Sequence, residues 1–179
     1  EGEAWFNDVI ERYFRCPSVP LLRSYSESPG ITCCYKTGAY EAVKHLLETH
    51  GSRKPYYLLG SRSITQNLQD RFAGYLQALA EFDIPFDDSM KISLQGSYSS
   101  DGIVSGALHY GGEAIDILFK QRKLKAGTDI DSLVVFNDRM AVEAMEALQQ
   151  IGLSVPEDIR IISFDNTLDS ETASTPLTT

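Results

Sequence analysis

Between Ile130 and Asp165 a strand, a polar turn, a helix and a second strand follow one another almost without slack, and no other stretch restricts the fold as much. Leu133-Val134-Val135-Phe136 is a short apolar run that stops at Asn137-Asp138. Met140, Ala141, Ala144, Met145, Leu148 and Ile151 then recur at the spacing of one helical face. Gly152 ends that helix, Pro156 keeps it from resuming, and Ile159 to Phe164 is a second apolar run that closes on Asp165-Asn166. Two strands joined through a helix in this way are parallel, with a right-handed crossover. Open parallel sheets collect ligands at the carboxyl ends of their strands, where Asn137, Asp138, Asp165 and Asn166 stand.

The same alternation extends back to Thr37. Thr37 is placed to cap a helix with apolar positions Ala39, Val43, Leu46 and Leu47, and a strand over 56–59 follows. A second helix carries Leu68, Phe72, Tyr75, Leu76, Leu79 and Phe82 in one stripe, and Lys91 to Leu94 reads as the next strand. Residues 101–123 read as helical, with Gly111-Gly112 as a candidate break and Ile115, Leu118 and Phe119 as the clearest buried face. The pattern predicts an α/β fold, a parallel sheet flanked by helices on both faces. Residues 1–36 differ in texture. They read as a helix up to Arg15, a strand over 19–22, a turn-rich loop over 24–30 and a strand over 31–35, with no partner for their apolar faces inside the segment.

Net charge decides against one class of function. At −9 the chain lacks the clustered cations that neutralise phosphates, and its longest basic cluster, Lys120 to Lys125, sits at a predicted helix end where cations complement the dipole. These residues are not a DNA-binding module. No apolar run approaches the roughly 20 residues of a membrane helix. Cys16, Cys33 and Cys34 fit neither a zinc spacing nor a disulfide framework. They read as small strand hydrophobes in a reducing compartment, with Cys33 and Cys34 on opposite faces of a strand. The first residue is not methionine, and the expectation is a fragment of a longer chain.

No nucleophile elbow, dinucleotide fingerprint, phosphate loop or zinc-protease motif is present, and His45, His50 and His109 are scattered. The expectation is a binding protein, not an enzyme, without a cofactor or metal. Arg71, near the start of the second helix, offers a planar fork to vicinal hydroxyls or a carboxylate. Asn137 and Asp165 end two strands and suit bidentate bonds to a polyol, and Tyr98, in the loop after 91–94, suits stacking on a sugar ring or base. Each has a plainer reading: Arg71 paired with Asp70 or Glu81, Asp138 as a helix cap, Asn166 as part of a turn. Neither Arg71 nor Asp165 is needed to fill the core, so alanine at either place is expected to cost no more than about 1 kcal/mol.

"FNDRMAVEAMEAL", "GLSVPEDIRIISFDN" and "TPLTT" follow one another in the order and at the spacing of a known family. The chain resembles the effector-binding domain of the lactose/galactose repressor (LacI/GalR) family, a periplasmic-binding-protein-like fold. The resemblance implies that Arg71 in "RFAGY", Asn137 in "FNDRMA" and Asp165 in "SFDN" contact the effector, and that Tyr98 in "GSYSSDG" lines the pocket. It implies one nearly complete lobe plus part of a second: 1–36 as partial N-terminal lobe, 37–174 as C-terminal lobe, and 175–179 as the start of the return crossover. It departs from the family at Arg23-Ser24-Tyr25 and Tyr35-Lys36, where an Asp and a "DN" are common.

The implied protein is a cytoplasmic transcriptional regulator, a homodimer without membrane attachment. It binds a sugar, nucleoside or similar metabolite and acts on DNA only through a module outside this segment. "LLETHGSRK" and "ALAEFDIPFDD" also look similar to sensor lobes joined to diguanylate cyclases or histidine kinases, and a periplasmic sugar-binding transport receptor is a further alternative.

Overall fold

The computed structural model describes residues 31–60, 65–94 and 110–179. The chain divides into two compact units, Glu1–Cys34 and Tyr35–Thr179, and only residues 31–34 of the first are described. The elements expected over 1–30 and the side chain of Tyr98 lie outside the described residues.

In the second unit helices and strands alternate as α1 (Tyr35–Thr49), β1 (Pro55–Gly60), α2 (Gln66–Glu81), β2 (Lys91–Leu94), α3 (Tyr110–Ile115), β3 (Ser132–Val135), α4 (Asp138–Gln150), β4 (Arg160–Ile162) and α5 (Leu168–Thr172). A π-helical turn, Asp116–Gln121, prolongs α3. The strands form a parallel sheet in the order β2-β1-β3-β4, with Tyr57 opposite both Lys91 and Val134, and Ser132 opposite Arg160. β1 and β3 are central and buried along their whole length, as strands covered on both faces must be. One face, with Tyr57, Leu59, Val134 and Ile162, packs on Val43 and Leu47 of α1 and Leu68, Tyr75 and Leu79 of α2. The other, with Tyr56, Leu58, Leu133, Val135 and Ile161, packs on Ile115 of α3, Leu118 of the π-helical turn, and Met140, Met145 and Leu148 of α4.

Ahead of β3, Asp131 stitches the strand starts together. One carboxylate oxygen accepts from the hydroxyls of Ser52 (2.6 Å) and Ser132 (2.9 Å), the other from the backbone N–H of Arg53 (2.7 Å) and Lys54 (3.0 Å). Burial pushes this carboxyl up, but the four bonds outweigh it and hold it below the ordinary carboxylate range.

Four local expectations are corrected. α1 begins at Tyr35, so Thr37 lies inside the helix and not at its cap. Residues 32–34 form no strand, and Cys33 and Cys34 are exposed instead of facing into a sheet. The apolar run there is short, and the helix takes its last residue. Ile151 leaves the apolar stripe of α4 and is 37 % exposed, because it lies beyond the helix end where Gly152, at φ +83°, turns the chain away. Gly111-Gly112 is no break: α3 runs through it. A β-carbon on Gly111 would meet the backbone N of Ala144 and O of Met140 closer than real contacts allow, so the glycine is what lets α3 lie against α4.

Candidate ligand-binding site

β1 leads through α2 to β2 on one side, whereas β3 leads through α4 to β4 on the other. The two connections leave adjacent strands in opposite directions, which opens a crevice at their carboxyl ends. Arg71 and Asp165 meet at this end of the sheet.

Arg71 projects from the first turns of α2 and bridges the ends of two strands. Nη2 donates to Oδ1 of Asp165 at 2.6 Å, and Nη1 donates to the carbonyl of Phe136 at 2.5 Å. The guanidinium carbon lies 4.9 Å from the ring centre of Phe164 and 5.4 Å from that of Tyr35. The Arg71 side chain is only 11 % exposed and that of Asp165 39 %, so the cation is embedded and the carboxylate faces outward. The alternative pairings are not formed: Asp70 accepts from Gln66, and Glu81 is bound by Lys44 at 2.7 Å.

Asn137 caps α4, its Oδ1 accepting from the N–H of Met140 at 3.0 Å. The capping role that the sequence offered to Asp138 therefore belongs to its neighbour. Asp138 is fully buried. Its Oδ1 accepts from Ser163 Oγ (2.6 Å) and Thr179 Oγ1 (2.7 Å), and its Oδ2 from Thr167 N (2.7 Å) and Oγ1 (3.0 Å). Burial pushes the carboxyl up, and these bonds more than offset it, holding it below the ordinary range. Asn166 sits in a turn, as its plainer reading had it, with φ +47° and its N–H on Thr179 Oγ1 at 3.1 Å. Asp165 precedes it at φ +105°.

The structure thus joins Arg71 to Asp165 and to Phe136, the residue before Asn137, and shows no contact of Arg71 with Asn137 itself among the described contacts. Phe164 and Tyr35, whose rings lie against the guanidinium, went unread as site residues in the sequence, although Phe164 adjoins Asp165. So did the hydroxyls of Ser163, Thr167 and Thr179. Ser163 and Thr167 flank the Asp165-Asn166 pair in the sequence, but nothing there links them or Thr179 to Asp138. Among the described residues no group of three or more His, Cys, Asp or Glu is arranged to hold a metal ion. No described helix is long and apolar enough to cross a membrane.

A sequence model of the periplasmic binding protein-like domain matches residues 43–179. The HTH-type transcriptional regulator DegA of Bacillus subtilis is 34 % identical over 142 residues, covering 79 % of this chain and 37 % of DegA. AscG of Escherichia coli, also an HTH-type transcriptional regulator, is 30 % identical over 162 residues, covering 89 % of this chain and 43 % of AscG. A sugar-binding transcriptional regulator of the LacI family from Escherichia coli, solved in complex with phosphate, superposes with a TM-score of 0.71 at 26 % identity, over 98 % of this chain and 57 % of that one. The chain belongs to the LacI family, in its periplasmic binding protein-like domain. These LacI-family relatives are named as regulators, not as enzymes, transport receptors or signalling kinases. This LacI-type domain spans less than half the length of the two curated relatives.

Proposed function

We propose that this LacI-type domain is the effector sensor of a transcriptional regulator, holding a small polyhydroxylated metabolite, a sugar or nucleoside, at the carboxyl ends of β1, β3 and β4. The observation that carries the reading is the Arg71–Asp165 pair. An embedded guanidinium, fixed by Phe136 and the two aromatic rings, orients a carboxylate whose outward side remains accessible. Such a carboxylate accepts from two neighbouring hydroxyls without reorganising, and preorganisation is what makes a polar contact contribute to affinity. Asn137, tied through Oδ1, has its amide N–H groups for the same ligand, and Tyr98 is assigned to the pocket wall.

On this reading residues 37–174 are the C-terminal lobe, 1–36 part of the N-terminal lobe and 175–179 the return towards it. Ligand closes the lobes and shifts the population of a DNA-binding module outside the segment. The regulator is a cytoplasmic homodimer without membrane attachment. Thermal-shift screening of sugars and nucleosides on the longer protein is expected to find a stabilising ligand. That ligand should lose tenfold or more in affinity when Asp165 is replaced by Ala, the equivalent of a charge-assisted bond of about 1.5 to 3 kcal/mol. A screen without a hit, or a hit indifferent to Asp165→Ala, refutes the reading.

A further inference from the structure

We infer that Asp138 is a positioning residue for Asp165: a buried clasp that holds residues 165–166 in the left-handed backbone conformation from which Asp165 reaches Arg71. Its bearing on ligand binding rests on the function proposed above; the geometry stands without a ligand.

Asp165 and Asn166 both have positive φ, +105° and +47°, and neither is glycine. Asn tolerates this region, while an Asp at +105° is strained, and such conformations persist only where their surroundings over-determine them. The surroundings here converge on one carboxylate. On the N-terminal side of the turn, Ser163 Oγ donates to Asp138 Oδ1. On the C-terminal side, the N–H and hydroxyl of Thr167 both donate to Oδ2. In the middle, Asn166 N–H donates to Thr179 Oγ1, which itself donates to Asp138 Oδ1. The strained pair is therefore gripped before, after and between. The grip is anchored at the first residue of α4, which is fully buried and fixed by the helix that follows.

A carboxylate is the group this arrangement needs. It offers acceptors on both oxygens and has no donor, and every group facing it in these contacts is an N–H or hydroxyl. Asparagine is nearly the same size but turns one of those acceptors into a donor: the Thr167 N–H excludes it from one side, and on the other Ser163 and Thr179 must accept where they now donate, which exchanges charge-assisted bonds for neutral ones about half as strong. The turn is then held more weakly on both sides, and Asp165 leaves more readily the φ at which its Oδ1 lies 2.6 Å from Arg71.

The test measures the coupling between Arg71 and Asp165 without ligand. Arg71→Ala, Asp165→Ala and the double variant are unfolded in denaturant, in the wild-type chain and in Asp138→Asn and Thr179→Val backgrounds. The wild-type coupling is expected to be about fivefold in the unfolding constant, at the upper end for a partly exposed pair. It should fall below about twofold with Asp138→Asn, and also fall with Thr179→Val, which cuts the relay to Asn166 and leaves the carboxylate in place. A residue that only stabilised the fold would lower every variant equally and leave the coupling intact. An unchanged coupling in Asp138→Asn overturns the inference, and so does an unchanged coupling in Thr179→Val if Asp138→Asn does not fold. A ligand screen without a hit would refute the proposed function and leave this result standing.

Discussion

Replacing Arg71 by alanine should cost far more stability than replacing its ion-pair partner. The guanidinium makes two kinds of contact that differ in exposure. Its bond to the Phe136 carbonyl is made by a side chain only 11 % exposed, and a bond to a charged group in such a place contributes about 1.5 to 3 kcal/mol. Its bond to Asp165 reaches a carboxylate 39 % exposed, which water can solvate once the arginine is gone, so this contact is worth no more than about 1 kcal/mol. Stacking on Phe164 and Tyr35 adds about 0.5 to 1 kcal/mol. Arg71→Ala is therefore expected to destabilise by about 2 to 4 kcal/mol, and Asp165→Ala by about 1 kcal/mol. The sequence alone led to an expectation of no more than about 1 kcal/mol for both, and the contacts of the guanidinium raise the expectation for Arg71. Arg71→Lys should recover less than half of the loss, since an ammonium lacks the planar fork that spans two acceptors. Urea unfolding with an unchanged m-value is the assay. Equal losses for the two alanine variants, or an Arg71→Ala loss within about 0.5 kcal/mol of wild type, would refute the reasoning.

Gly111→Ala should destabilise by about 1 to 2 kcal/mol in the same assay, because overpacking against the backbone of α4 outweighs a helix-propensity gain of about 1 kcal/mol. Gly112→Ala, where an added β-carbon meets nothing within 4 Å, should show that gain uncancelled. Tyr57→Phe removes a buried hydroxyl with no hydrogen-bond partner among the described residues, and is expected to leave stability unchanged or raise it by about 1 kcal/mol. Asp131 and Asp138 both titrate below their unfolded value of 3.8, so the stability they contribute is fully present above that value and is lost as pH falls below it through their folded values. Unfolding at pH 3 against pH 6 checks this, and Asp138→Asn should flatten the difference.

The layers of the fold were readable because periodicity reports burial directly. Val43, Leu47, Tyr75, Leu79, Ala144 and Leu148 lie at helical spacing and are all buried, and the continuous apolar runs of β1 and β3 mark strands covered on both faces. What failed was local. Thr37 looks like a cap, but a helix start depends on where the preceding backbone is free to turn, and α1 had already begun at Tyr35. At the site, Arg71 and Asp165 could be picked as polar residues at element ends. Their bond to each other spans 94 positions and needs the sheet order, which periodicity does not encode. The cap falls to Asn137 and not to Asp138 for a similar reason. Either side chain suits a cap, and the choice follows from Thr167 and Thr179 arriving beside Asp138 from far along the chain.

Asp131 and Asp138 bracket β3, one before its first residue and one beyond its last, and in the contacts described each is held by hydroxyls and backbone amides instead of cationic side chains. Mobile ions screen attraction between opposite charges far more than they weaken a short bond from a neutral donor to an enclosed acceptor. Strand β3 is therefore pinned at both ends by anchors that ionic strength leaves in place, while the rim ion pair of Arg71 with the outward-facing Asp165 is open to the surrounding electrolyte. The framework and the contact it presents thus respond to salt on separate scales, and a change in ionic strength retunes the rim while the sheet beneath it keeps its shape.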